Sequence, residues 1–327
     1  MKWFASLLLC SVALCADAQE PATLKLIKTI ALPGVKGRFD HFAIDVQRHR
    51  LFVAALGNNT LEVIDTAEGK RLKTISGLHK PTGVLYLAGQ NQIAVANGDN
   101  GTLTLFDGVS YELVKSLDSL DDADNLRFDA KTKQMFLGYG DGALAVIDST
   151  TMKQTGSIKL AAHPESFQLE MRGSRIFVNL PDAKQIAVID RDKQTVTATW
   201  PMEKFHANFP MVLDEASHRL FLGCRQPARL VVFDTTTGRP VTDLAISGDT
   251  DDLFYYAKLK RLYLSCGEGY VDVIEQRSAD SYQRRERVPT RNGARTSFFS
   301  TSTGELFVAV PQHGNEAAEL RVFQCQP

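Results

Sequence analysis

The chain has 327 residues, of which 44% are hydrophobic, so it can bury a large core in one big all-β domain or in two domains of ordinary size. Lysine plus arginine (37) nearly balances aspartate plus glutamate (38). This balance leaves no overall field to steer the protein onto nucleic acid or an anionic membrane, and we do not expect nucleic acid as a partner.

The first 18 residues have the pattern of a secretion signal peptide. Lys2 gives a positive start, the apolar run WFASLLLCSVAL follows, and ADA at 16–18 is a small-x-small cleavage site. The apolar run is too short to span a membrane comfortably, and no later run approaches that length. We therefore expect residues 19–327 to be one mature domain, periplasmic or secreted. Lipid attachment at Cys15 is the less favoured alternative, because the residue before it is bulky.

A three-residue signature ends a β-rich run at regular intervals along the chain. The copies are VID at 63–65, LFD at 105–107, VID at 146–148, VID at 188–190, VFD at 232–234, VIE at 273–275 and VFQ at 322–324. Successive copies start 42, 41, 42, 44, 41 and 49 residues apart. The first repeat divides into four strand-like runs, HFAIDV, RLFVAAL, TLEVIDT and RLKTISGL, separated by turn-forming residues. The sequence thus predicts an all-β, seven-bladed β-propeller with four antiparallel strands per blade.

The last repeat supplies only three strands, RTSFFST, GELFVAV and AELRVFQ. The missing fourth is LKLIKTIAL at 24–32, which resembles the outer strand RLKTISGL of the first repeat. We expect this N-terminal strand to complete the seventh blade and close the ring, which removes the exposed edges of an open array.

The run RLFVAALGNNTLEVIDTAEGKRLKTI resembles the YVTN-type, YncE-like propeller repeat, and the resemblance extends over all seven blades. Proteins of this kind include binding proteins, enzyme subunits and relatives described as lactonase-like or streptogramin-lyase-like. Exported propellers also accompany quinone- or haem-dependent dehydrogenases. The resemblance therefore implies the fold but leaves the chemistry open.

The blades can be aligned on the first residue of the second strand, and the position ten residues earlier can then be compared between blades. From the first blade to the seventh, these ring positions are Asp40, Thr82, Asp124, Glu165, Phe209, Asp251 and Arg295. Since first strands line the channel of a propeller, we expect the ring positions to surround the channel mouth at one height. Further candidate ligand-binding residues beside them are His41, Lys80, Asn125, His163, His206, Asn208 and Asp252.

Carboxylates that converge on a channel mouth repel one another unless a cation or an arginine offsets them or some stay protonated. Calcium or magnesium would suit the oxygen ligands, and zinc or manganese becomes conceivable with histidines nearby. The candidate metal ligands are Asp40, Asp124, Glu165 and Asp251. The alternative is that these residues are polar only because water fills the mouth.

Two functions follow from this arrangement. The favoured one is an exported, monomeric binding or scaffold protein that receives a small molecule or a protein at the mouth. The alternative is a metal-assisted hydrolase or lyase acting on a lactone or ester, in which His163, Glu165 or His206 would move the proton. No GxSxG, GxGxxG, P-loop or CxxCH motif is present to support another established chemistry.

The mature chain has three cysteines, Cys224, Cys266 and Cys325, and no CxxC motif. An odd number does not indicate a disulfide framework. Cys224 and Cys266 end the second strands of adjacent blades, where equivalent points should lie too far apart for a disulfide. We expect both to be small buried residues.

Overall fold

The structure is a computed structural model that describes residues 22–327, so the predicted signal peptide and its cleavage site lie outside the described residues. Within that range the chain forms 28 β-strands and one short 3-10 turn, Leu56–Asn58. No helix in residues 22–327 is long and apolar enough to cross a membrane.

The strands form seven four-stranded antiparallel sheets, which are the seven predicted blades. Blades 1 and 2 contain β2 (Phe42–Asp45), β3 (Arg50–Ala55), β4 (Thr60–Asp65), β5 (Lys70–Ile75), β6 (Pro81–Leu87), β7 (Gln92–Asn97), β8 (Thr102–Asp107) and β9 (Leu113–Leu117). Blades 3 and 4 contain β10 (Leu126–Asp129), β11 (Gln134–Tyr139), β12 (Ala143–Asp148), β13 (Lys153–Lys159), β14 (Phe167–Leu169), β15 (Arg175–Leu180), β16 (Gln185–Asp190) and β17 (Thr195–Pro201). Blades 5 and 6 contain β18 (His206–Asp214), β19 (Arg219–Gln226), β20 (Ala228–Asp234), β21 (Arg239–Ala245), β22 (Thr250–Tyr256), β23 (Arg261–Cys266), β24 (Tyr270–Ser278) and β25 (Ser281–Pro289). Blade 7 combines β26 (Ser297–Ser300), β27 (Glu305–Val310) and β28 (Ala318–Cys325) with β1 (Leu24–Leu32).

The first strand of each blade contacts the first strands of both neighbouring blades. These contacts run from β2 through β6, β10, β14, β18 and β22 to β26, and β26 contacts β2 again. The first strands therefore surround a central channel, and the predicted seven-bladed β-propeller is confirmed.

The blades pack face to face, so their middle strands are buried on both sides. All six residues of β3 are buried, including those that strict alternation would place in water. Aromatic rings join neighbouring blades: the ring centroids of Phe52 and Tyr86 lie 5.5 Å apart, and those of Phe254 and Phe298 lie 6.4 Å apart. This two-sided burial explains why the repeat runs are almost continuously apolar.

The N-terminal strand closes the ring as predicted. β1 pairs antiparallel with β28, from Leu24 opposite Cys325 to Leu32 opposite Ala318. Ile30 and Leu32 enter an apolar cluster formed by residues of blades 7 and 1. Closure thus combines a hydrogen-bonded strand pair with a buried apolar contact between the last blade and the first.

The three mature cysteines are free thiols, and Cys224 and Cys266 are buried as expected. Burial raises the pKa of Cys224 to about 12, so the thiol stays neutral at physiological pH. Both residues belong to the apolar packing between blades 4 to 6.

We predict that Ile30→Ala lowers the free energy of unfolding by about 2–5 kcal/mol, because it leaves a cavity at the closing contact. The Ile30 side chain is 1% exposed, whereas Ile27 on the same strand is 45% exposed. Ile27→Ala is the matched control and should change stability by less than about 0.5 kcal/mol. Urea unfolding measures both, and equal effects would contradict this account of closure.

Candidate functional site

A cavity of about 710 Å³ begins at the end of the channel where the chain enters the first strands and continues inward along those strands. We call it the mouth cavity. Its lining includes all seven ring positions, Asp40, Thr82, Asp124, Glu165, Phe209, Asp251 and Arg295. It also includes five of the flanking candidates, His41, Lys80, Asn125, His163 and Asp252.

Backbone hydrogen bonds place the ring positions at a common height. In blades 1, 3 and 4 the ring residue donates its N–H to a residue of the second strand, and the residue after it accepts an N–H from that same strand. The N–H groups of Asp40, Asp124 and Glu165 donate to the carbonyl oxygens of Ala54, Gly138 and Asn179, respectively. The N–H groups of Ala54, Gly138 and Asn179 donate in turn to the carbonyl oxygens of His41, Asn125 and Ser166. These bonds are 2.9–3.1 Å long and extend the ladder between the first two strands past the regular strand.

Asp40 lies on the side of the mouth cavity that is rich in carboxylates. Its Oδ1 accepts the His41 N–H at 3.0 Å, and its carboxylate lies 3.5 Å from His41 Nε2 and 3.7 Å from the Arg38 guanidinium. Burial raises the pKa of Asp40 well above its usual range, and the negative charges of Asp124 and Asp251 raise it further. The available cations therefore do not offset the carboxylates around Asp40.

Three more carboxyl groups of the mouth cavity, those of Glu165, Asp251 and Asp252, have raised pKa values, and burial is the first cause in each. Burial, followed by the charge of Asp124, raises the pKa of Glu165 to about 8. Burial raises the pKa of Asp252 to about 7, although its Oδ2 accepts the Ser297 N–H at 2.7 Å. Glu165 is therefore mostly protonated at neutral pH when the cavity holds no added cation.

His163 is a cation that lies beside Asp124 in the mouth cavity. Its Nδ1 lies 2.7 Å from the Gly140 carbonyl oxygen, and its Nε2 lies 3.9 Å from Asp124 Oδ2. Burial lowers the pKa of His163, but the contacts with Asp124 and Gly140 outweigh burial and raise it to about 9. The imidazole is therefore charged at neutral pH and donates to the Gly140 carbonyl.

Two arginines that line the mouth cavity, Arg225 of blade 5 and Arg295 beside blade 7, are already paired. Arg225 forms an ion pair with Asp251, and its guanidinium lies 4.0 Å from the Phe209 ring centroid. Arg295 donates to Asp249 at 2.8 Å and lies 3.1 Å from Asp251. Two arginines and two aspartates pair here, yet burial still raises the pKa of Asp251.

Arg127 is a site residue that sequence reasoning missed. It lies on β10, donates to the Asn125 side chain at 2.9 Å and the Leu126 carbonyl at 2.8 Å, and has no carboxylate within ion-pair distance in the described structure. Burial lowers its pKa to about 10. Its position as the second residue of a channel-lining strand was the available signal, because alternate residues of such a strand face the channel.

The predicted metal quartet is only partly brought together. Asp40 and Asp124 each place a carboxylate oxygen in a group with a His41 ring nitrogen, and all three atoms lie within 4.8 Å of one another. Glu165 and Asp251 line the same cavity but do not belong to this group. Among residues 22–327, this is the group of histidine, cysteine and carboxylate side chains whose spacing suits a metal ion.

His206 and Asn208 lie outside the lining of the mouth cavity. His206 pairs with Gln226 across β18 and β19. Asn208 is buried and donates its side-chain N–H to Asn179 Oδ1 at 2.9 Å, which ties blade 5 to blade 4. We therefore remove both residues from the candidate site, including His206 as a candidate for proton transfer.

No protein-family model matches the chain, and no curated protein matches it either. Among solved structures, a chain of "Crystal Structure of Mitotic Checkpoint Complex" is similar over 100% of this chain and 99% of its own length, with a TM-score of 0.79 and 14% identity. A chain of "Kuenenia stuttgartiensis Hydrazine Synthase" is similar over 84% of this chain and 94% of its own, with a TM-score of 0.73 and 14% identity. Similarity at this identity shows the β-propeller fold alone.

We predict that the free energy of unfolding falls as pH rises from 5 to 8 in metal-free buffer. The pKa of Glu165 is about 8 in the folded protein against an ordinary value of 4.5, so folding favours the protonated form. That stabilisation is complete below about pH 4.5 and is lost as pH approaches 8. Asp252, at about 7, acts in the same direction.

Urea midpoints between pH 5 and pH 8 measure this dependence. Glu165→Gln should flatten it, because the amide cannot ionise. Glu112→Gln, on the exposed outer side of blade 2, should leave the slope unchanged. Stability that rises with pH over this window would contradict the raised pKa values.

Proposed function

We propose that this chain is an exported β-propeller binding protein whose mouth cavity receives a small polar ligand that carries positive charge. One observation carries the proposal: Asp40, Glu165, Asp251 and Asp252 line one cavity, and burial, followed by neighbouring charged groups, raises the pKa of each, so these carboxyl groups gather where their charged forms are poorly stabilised. A cationic ligand would supply the missing charge and allow these groups to ionise.

The dimensions of the cavity support a small molecule. Its volume of about 710 Å³ falls within the range of roughly 300–1,000 Å³ that is usual for small-molecule sites. The charged end of a ligand would face Asp40 and Glu165, and its remainder would lie against Phe209 and the paired Arg225. A protein partner at the loops of the mouth is the less favoured form of the proposal, because the carboxylates face into a concavity.

We favour binding over hydrolysis of a lactone or ester. The two remaining candidates for a general base are Glu165, with a pKa of about 8, and His163, with a pKa of about 9. Both are mostly protonated at neutral pH in the metal-free protein, so neither readily accepts a proton from an attacking water molecule there. A cation can still bind, because it displaces protons from the carboxyl groups as it enters.

The proposal also includes export and membership of the YVTN-type propellers, on the support of the N-terminal pattern and the seven repeats. N-terminal sequencing of the mature chain from the native host tests the export. A chain that begins at Gln19 would agree with cleavage after Ala18, and retention of Met1 would contradict it.

We predict that purified residues 19–327 bind small organic cations, such as short diamines or alkylguanidinium compounds, in preference to dicarboxylates of similar size. Calorimetry on chelator-treated protein measures this preference. Glu165→Gln should raise the Kd of the best cation about tenfold, which corresponds to about 1.4 kcal/mol. Glu112→Gln is the control and should bind like the unaltered protein.

A panel in which dicarboxylates bind and cations do not would overturn the proposed charge preference. Equal binding of the best cation by the unaltered protein and Glu165→Gln would place its site elsewhere.

A further inference from the structure

We propose that the positive charge received at the mouth cavity is a divalent metal ion held by Asp40, His41 and Asp124. This inference rests on the proposed function and deepens it, because it names the class of the cation. It also differs from the quartet expected from sequence, since one imidazole replaces two of the four carboxylates.

The spacing of the three side chains fits a shared ion. Their ligand atoms lie within 4.8 Å of one another. Two ligands of one ion can lie no further apart than twice the bond length, which is about 4–5 Å for bonds of roughly 2.0–2.5 Å. Asp40 and Asp124 come from blades 1 and 3, so ring closure, and not a local sequence motif, brings them together.

Neighbouring groups already orient the proposed ligands. The Asp40 carboxylate accepts the backbone N–H of His41 at 3.0 Å, and His41 Nε2 lies 3.5 Å from the same carboxylate. Protonated His163 lies 3.9 Å from Asp124. Hydrogen bonds and ion pairs of this kind orient the ligands of a metal ion. His41 Nε2 is the ring nitrogen that lies toward the Asp40 carboxylate.

Charge and access both favour an ion at this position. Arg225 and Arg295 are already paired with Asp249 and Asp251, so neither arginine forms an ion pair with Asp40 or Asp124. Three protein ligands on the wall of a cavity of about 710 Å³ leave coordination positions open to water or to an oxygen of a second ligand.

The ligand set indicates which metal to test first. Two carboxylates and an imidazole suit manganese or zinc better than calcium, which takes six to eight oxygen ligands. This order reverses the expectation from sequence, which placed calcium and magnesium first.

The test is a titration of untagged, chelator-treated residues 19–327 with Mn²⁺, Zn²⁺, Ca²⁺ and Mg²⁺ by calorimetry, with bound Mn²⁺ also followed by electron paramagnetic resonance. We expect one equivalent of Mn²⁺ or Zn²⁺ and a Kd at least tenfold higher in Asp124→Asn. Bound Mn²⁺ should show coupling to one imidazole nitrogen, and His41→Gln should abolish that coupling. Glu112→Gln is the control, and urea unfolding checks that each variant folds.

The outcomes separate this inference from the proposed function. Absence of stoichiometric metal, or equal affinity in folded Asp124→Asn and His41→Gln, overturns the metal site. If organic cations still bind under those conditions, the proposed function stands without the metal. If neither metals nor organic cations bind, both proposals fall.

Discussion

The pairing of β1 with β28 is the contact on which the remaining arrangement depends. It completes the seventh sheet and brings β26 against β2, so the seven first strands form a closed ring. Closure places residues from blades that are distant in sequence around one mouth. Asp40 and Asp124 are 84 positions apart in the chain (124 − 40), yet their carboxylates come within 4.8 Å of a shared histidine nitrogen. Ring closure therefore holds these two carboxylates close together despite their mutual repulsion.

The mouth cavity deals with its charges in two different ways. Arg225 and Arg295 pair with Asp249 and Asp251, which gives an ion-pair network beside the Phe209 ring. Glu165 and Asp252 have no such arginine partner, and burial, followed by neighbouring charged groups, raises the pKa of Glu165 to about 8 and the pKa of Asp252 to about 7. Protonation allows the fold to keep these buried carboxyl groups close together. An added cation would instead stabilise their ionised forms. Carboxyl groups with shifted pKa values in a concavity are typical of functional sites.

Sequence periodicity was sufficient to predict the fold and many of the residues that line the cavity. The repeated signature gave the blade number, the three-stranded last repeat gave the role of β1, and alignment between blades gave seven positions that all line one cavity. Alignment supplies height along the channel, but it does not supply side-chain direction. His206 and Asn208 do not line the cavity, and the Asn208 side chain instead bonds to Asn179 of blade 4. The alignment also could not show which charged residues pair with one another. Asp249, which pairs with Arg295, and Arg127, which lines the cavity, do not occupy the aligned ring positions.

The central claim is that an added cation relieves the crowding of carboxyl groups at the channel mouth. The most direct measurement is the number of protons released when Mn²⁺ binds at pH 7, obtained by calorimetry in buffers of different ionisation enthalpy. The account predicts that a large part of one proton leaves the unaltered protein, because the pKa of Glu165 starts at about 8 and falls when the cation arrives. Glu165→Gln should release fewer protons, and the remainder should come from Asp40 and Asp252, whose pKa values are also raised. Binding without proton release, or the same release from Glu165→Gln, would contradict the account.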